Sequence, residues 1–196
     1  MVVIGLTGGS GAGKSTALQI LAEMGACVID CDQVYHQLLA AGGPMLDQLA
    51  GRFPGVVTDG ELDRRALGQI VFHDPQALAD LNEITHGYVR DEVQQRMADW
   101  AAQGGAYVAI DAVALIESGI ADWCTAVVGI IAPMERRIER ICRREGIDPA
   151  DARTRIMSQK PDSFFQEHCD YILDNQYPCV EEFTQVCRAL FQRIMN

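Results

Sequence analysis

Five short apolar runs punctuate the chain: Val2-Val3-Ile4-Gly5-Leu6, Ala26-Cys27-Val28-Ile29, Ala106-Tyr107-Val108-Ala109-Ile110, Thr125-Ala126-Val127-Val128-Gly129-Ile130-Ile131 and Tyr171-Ile172-Leu173. None alternates with polar residues, which is the pattern of strands buried on both faces. Between them the apolar positions fall at helical spacing. Thr16 to Met24 carries Leu18, Leu21 and Ala22 and stops at Gly25. A short helix containing Leu38 and Leu39 ends near Gly42-Gly43-Pro44, and the region from Met45 to Gln103 reads as mostly helical. Within it, Asp59-Gly60 marks a turn, and helices are predicted over Glu61 to Phe72 and Pro75 to Ala102. An arginine-rich helix runs to about Gly146, a second from Pro149 to Ser158, and a closing amphipathic helix from Glu181 to Met195. Strands alternating with helices predict an α/β fold with a five-stranded parallel sheet. The expected organisation is a core of residues 1–44 and 105–196, with a helical lid at about 134–160, and a helical substrate insertion at 45–104.

The link between the first strand and the first helix carries the strongest chemical signal. Gly8-Gly9-Ser10-Gly11-Ala12-Gly13-Lys14-Ser15 is a full G-x-x-x-x-G-K-[ST] phosphate loop, in the strand–loop–helix setting its chemistry requires. Its glycines let the backbone take positive φ and approach an anion, so that successive N–H groups and the helix N-terminus converge on phosphates. Gly8, Gly11, Ala12, Gly13, Lys14, Ser15 and Thr16 are therefore the expected nucleotide-binding residues. Lys14 should reach the β- and γ-phosphates of ATP, and the Ser15 hydroxyl should take Mg²⁺. The sheet is accordingly expected to be of the P-loop, nucleoside-kinase-like type.

Charge narrows the partner. The formal net charge of −11 excludes a nucleic-acid binder, whose phosphate-facing surface would be basic, and points to a small molecule. Positive charge is concentrated, with Arg136, Arg137, Arg140, Arg143, Arg144, Arg153 and Arg155 falling in one segment. Such an island either meets an anionic ligand or is an exposed helix pairing with Glu135, Glu139 and Glu145. On the first reading, a helix closing over ATP brings guanidinium groups to the transferring phosphoryl, and Arg140 and Arg144 share the required face. The seven cysteines include no C-x-x-C pair and are read as reduced. The absence of a leader pattern and of an apolar run of about 18 residues predicts a soluble, cytoplasmic protein without a membrane partner.

Ligands of parallel α/β sheets collect at the carboxyl ends of strands, so the acidic residues there are the next candidates. Asp30 and Asp32 end the second strand, and Asp32 is the expected base for an attacking hydroxyl. Asp30 then orients the strand end or raises the pKa of the base, although either carboxylate could instead cap the helix starting near Gln33. Asp111 ends the third strand and is a candidate Mg²⁺ contact, direct or through water, with Glu117 a weaker one. A plain turn residue is the alternative for Asp111.

These residues resemble those of the dephospho-coenzyme A kinase family. The similarity covers nearly the whole chain: Gly5 to Thr16, Val28 to Asp32, Leu62-Asp63-Arg64 with Leu67-Gly68, Ile70-Val71-Phe72, Leu81-Asn82 and His86. It continues through Leu115-Ile116-Glu117, Arg140 and Arg144, Arg155 with Gln159, and Asp170 to Asn175. The resemblance implies ATP-dependent phosphorylation of the ribose 3′-hydroxyl of dephospho-coenzyme A, with Asp32 as general base. It places the coenzyme around Arg64 and His86 and brings Asn175 near adenine. Without it, His86 reads as an ordinary helix histidine. The chain departs from the family pattern at Gly87, where proline is usual, and at Val113-Ala114-Leu115, where Pro-Leu-Leu is usual.

Three other functions share parts of this pattern: another kinase of nucleosides or small alcohols, a nucleotide-dependent switch, and an inactive scaffold. The switch finds no support in a guanine signature, since Asn82, Asn175 and Asn196 are the only asparagines and none precedes lysine.

Overall fold

The computed structural model describes residues 1–196. The chain runs through β1 (Val2–Gly8), α1 (Lys14–Glu23), β2 (Cys27–Asp30), α2 (Cys31–Ala41), α3 (Pro44–Arg52), β3 (Val57–Thr58) and β4 (Glu61–Leu62). It continues with α4 (Arg64–His73), α5 (Pro75–Ala102), β5 (Tyr107–Asp111), a 3-10 turn at Ile120–Trp123 and β6 (Ala126–Ile131). The last elements are α6 (Met134–Glu145), α7 (Pro149–Met157), α8 (Asp162–His168), β7 (Tyr171–Asp174) and α9 (Val180–Met195). Two compact units result, one of Met1–Ile29 with Trp100–Asn196 and one of Asp30–Asp99.

The first unit holds the five-stranded parallel sheet, in the order β2-β5-β1-β6-β7. All five apolar runs become strands, as their unbroken hydrophobicity requires. The register sets Gly8 of β1 opposite Ile130 and Leu6 opposite Asp111, so the loop leaves the central strand between two buried neighbours. One face of the sheet is covered by α1 and α9, where Ile4, Leu6, Ala17, Leu21, Val128, Ile130, Phe183, Cys187 and Phe191 form one core. Burying each such large side chain contributes about 1.5–3 kcal/mol, which anchors the helix that begins at the loop. Side chains also pin the strand ends: Val3 N donates to Thr125 Oγ1 at 3.1 Å and Val127 N to Asp170 Oδ2 at 2.8 Å. A smaller core of Ile141, Ala152 and Ile156 joins α6 to α7.

The second unit starts at Asp30 and so takes in α2 as well as the expected helical insertion. Asp30 is the N-cap of α2, its Oδ1 accepting from Asp32 N at 2.9 Å and Gln33 N at 3.0 Å. Its core is built from Leu39, Met45, Leu46, Leu49, Phe53, Val56, Leu67 and Ala77. The predicted helix over Glu61 to Phe72 is shorter than expected. Glu61–Leu62 instead pairs with Val57–Thr58 as an antiparallel hairpin. Asp59 (φ 53°) and Gly60 (φ 80°) supply the two left-handed residues of its turn. Asp63 then caps α4 through bonds from Arg65 N and Ala66 N, both 2.9 Å. No helix of the chain is long and apolar enough to cross a membrane.

Candidate active site

Built on the end of β1, the loop takes its shape from three left-handed glycines, Gly8 (φ 142°), Gly11 (φ 76°) and Gly13 (φ 118°). Gly13 begins α1 with no side-chain cap, and its carbonyl accepts from Thr16 N and Ala17 N. Lys14 Nζ turns back across the loop to donate to Gly8 O at 2.8 Å. Gly9 O accepts from Ala12 N within the loop at 3.2 Å, and the other three carbonyls are tied down from outside. Arg137 Nε donates to Ser10 O at 2.9 Å, Arg140 Nη1 to Gly11 O at 3.0 Å and Ala12 O at 3.2 Å, and Asn175 Nδ2 to Ala12 O at 2.8 Å. With the carbonyls held this way, the N–H groups of Gly11, Gly13 and Ser15 have no acceptor in the protein. Unpaired donors on a curved backbone at a helix N-terminus form an anion cradle.

The cradle is closely backed, and its glycines are required by their neighbours. A Cβ on Gly8 would lie 2.2 Å from Ile130 O, and one on Gly13 would lie 2.4 Å from Asn175 Nδ2 and 3.2 Å from the Phe183 ring. Asn175 is itself buried at the exit of β7, where its N–H bonds to Ile131 O at 2.8 Å. The sequence therefore folds the Asp170–Asn175 ending into a buttress for the loop.

The other predicted residues are distributed as follows. Ser15 is exposed on the first turn of α1 and Thr16 is half-buried beside it. Asp111 ends β5, opposite Leu6. Arg144 is exposed and pairs with Glu145, whose other oxygen takes Arg155 Nη1 at 2.6 Å. The structure thus brings Arg140 to the loop and Arg144 to a carboxylate on its own helix. Burial lowers the Arg140 pKa from its usual value and the neighbouring Arg136 lowers it further. Glu145 is held below the usual carboxylate range by its hydrogen bond from Arg144 and by Arg155. Glu117 is exposed and faces Lys160 at 3.6 Å.

In the second unit, Asp32 stands on the first turn of α2 with its carboxylate exposed and engaged in no hydrogen bond. Capping falls to Asp30 alone. Arg64 opens α4 and its Nη2 lies 2.9 Å from His36 Nδ1, while His86 is half-buried in the middle of α5.

Two residues of the loop's surroundings were not singled out by sequence reasoning for any role. Arg137 is 5% exposed, and Gln159, after α7, bonds to Ser10 through both ends of its amide. A signal was present for Arg137: it lies three residues after Met134 and four before Ile141, on the apolar face of its helix.

A parallel α/β sheet whose first strand ends in this cradle, backed by arginines from a later helix, defines a P-loop kinase. The profile of the family described as CoaE: Dephospho-CoA kinase matches residues 2–181. The dephospho-CoA kinase of Corynebacterium jeikeium is 39% identical over 89% of this chain and 91% of its own. Among solved structures, TT1252 from Thermus thermophilus superposes with a TM-score of 0.81 at 28% identity, over 98% of this chain and 97% of its own. Dephospho-CoA kinase from Campylobacter jejuni shares the fold, with a TM-score of 0.69 at 24% identity over 98% and 96% of the two chains. The chain belongs to the dephospho-CoA kinase family, and it is a kinase that uses ATP as phosphoryl donor.

Proposed function

We propose that the protein transfers the γ-phosphoryl group of ATP to the ribose 3′-hydroxyl of dephospho-coenzyme A, giving coenzyme A and ADP. The observation that carries the donor half is the loop whose carbonyls are bonded away, leaving N–H groups for phosphate. The acceptor half follows from the family to which the chain belongs. In the transfer the bond from O3′ to the γ-phosphorus forms, the bond from that phosphorus to the β–γ bridging oxygen breaks, and ADP departs with the electron pair. Asp32 accepts the hydroxyl proton, a role supported by an exposed carboxylate with no other bond and by capping duty resting on Asp30. Lys14 and Arg140 neutralise charge on the phosphates, and Arg144 does so after leaving Glu145. Asn175 borders the adenine, and Arg64 and His86 hold the coenzyme.

The donor set also suits a magnesium ion. No group of three or more His, Cys, Asp or Glu side chains forms a protein cage, whereas the exposed Ser15 hydroxyl lies at the head of the cradle. Mg²⁺ takes few protein ligands alongside phosphates, so Ser15, with Asp111 directly or through water, would hold it, and it would supply charge neutralisation on the β- and γ-phosphates.

Comparing ADP release with dephospho-coenzyme A, nucleosides and shikimate-like alcohols tests the acceptor. Release with dephospho-coenzyme A alone is expected. A response only to another alcohol would assign the protein to a different kinase reaction.

A further inference from the structure

We infer that Arg137 and Gln159 are a positioning pair that fixes the Ser10 peptide and thereby sets the shape of the phosphate cradle. The inference rests on the nucleotide reading above and concerns its donor half only. Every polar group of Ser10 is bound by this pair. Its N–H donates to Gln159 Oε1 at 2.9 Å, its carbonyl accepts from Arg137 Nε at 2.9 Å, and its Oγ accepts from Gln159 Nε2 at 2.8 Å. The pair is also joined to itself, Arg137 Nη2 donating to the same Gln159 Oε1 at 3.1 Å. Arg137 Nη1 lies 3.6 Å from Asp162 Oδ1, so the buried cation has a carboxylate on its outer side.

The consequence reaches the motif itself. In G-x-x-x-x-G-K-[ST] the positions held by Gly9 and Gly11 are free to vary, yet here both are glycine. A Cβ on Gly9 would fall 2.0 Å from Arg137 Nη2, and one on Gly11 would fall 2.7 Å from the Arg137 carbonyl oxygen. These glycines make room for Arg137. A guanidinium held by several bonds cannot swing away from a new methyl group without giving those bonds up. The loop and the first turn of α6 are thus fitted to one another, and Arg137 places a fixed positive charge behind a backbone meant to receive an anion.

The test measures ADP binding by calorimetry, with thermal melts alongside, for Arg137→Met, Gln159→Leu, Gly9→Ala and the double variant Gly9→Ala with Arg137→Met. Loss of a charge-assisted bond network predicts that Arg137→Met weakens ADP binding by about ten- to a hundredfold. Gln159→Leu weakens it in the same direction, and Gly9→Ala is costly beside Arg137 but nearly neutral once Arg137 is methionine. Folded single variants that bind ADP as the parent does would overturn the inference, as would a Gly9→Ala penalty unchanged in the Arg137→Met background. Should Arg137→Met not fold, Gln159→Leu and Gly9→Ala still decide, since normal ADP affinity in both refutes it. Failure of the parent protein to phosphorylate dephospho-coenzyme A while binding ADP would instead strike the acceptor assignment and leave this pair standing.

Discussion

At Gly13 three demands meet: a left-handed backbone, the Asn175 amide 2.4 Å from where a Cβ would sit, and the Phe183 ring behind it. Alanine there combines strain with overpacking, so Gly13→Ala is expected to lose about 2–4 kcal/mol of stability, read from denaturant unfolding. The two aspartates after β2 separate in the same way. Removing the cap with Asp30→Ala should cost about 1 kcal/mol of stability. Asp32→Asn should leave stability unchanged and lower kcat by about a hundredfold, with little effect on the ATP KM. Equal losses in kcat and ATP affinity would make Asp32 a structural residue. The pair was legible in the sequence because both carboxylates follow an apolar strand. Which of the two caps the helix was not, since that depends on the φ/ψ of Asp30. Arg137 stands outside the i,i+4 pair, Arg140 and Arg144, that the sequence marks for a ligand. Only its spacing from Met134 and Ile141 marks it as inward-facing.

Elements were legible in proportion to their length and uniformity. The five strands declare themselves as unbroken apolar runs, and α9 through the spacing of Phe183, Cys187 and Phe191. The β3–β4 hairpin does not, because two-residue strands lie below any detectable period, and only its Asp-Gly turn could be read. The short α8 was likewise missed. It ends in a stacked Phe164–His168 pair and seats Phe165 in the core, contacts that only tertiary packing supplies. Between elements, α9 supports the loop through Phe183. Phe183→Ala should therefore cost about 3–5 kcal/mol, read from urea unfolding, and also weaken nucleotide binding, read by ADP titration of the folded variant without urea.

For the molecule as a whole, burial of thiols sets a pH dependence. Desolvation pushes Cys124 and Cys187 up to about 12 and Cys169 up to about 11, with Asp170 adding to the shift at Cys124 and Cys169. Each is raised above its unfolded value of 9.0, so its contribution is fully present below that pH and is lost as pH rises toward the folded value. Urea unfolding should show lower stability at about pH 10.5 than at about pH 8, and a Cys124→Ala, Cys169→Ala double variant should show a shallower decline. At neutral pH the buried Cys187 should resist thiol reagents until the protein unfolds, whereas the exposed Cys179 should be open to them in the folded protein. The acidic balance and the cradle were both readable from sequence, and together they identified a small phosphorylated ligand. The division of the chain at Asp30 was not readable, because it depends on α2 packing with α3 and β4 and not on any change in composition. One measurement bears most directly on the central claim: phosphorus NMR of the product formed from ATP, Mg²⁺ and dephospho-coenzyme A. Coenzyme A carrying a new 3′-phosphomonoester, in equal amount to ADP, is the predicted result. ADP with the coenzyme precursor unaltered would contradict the account.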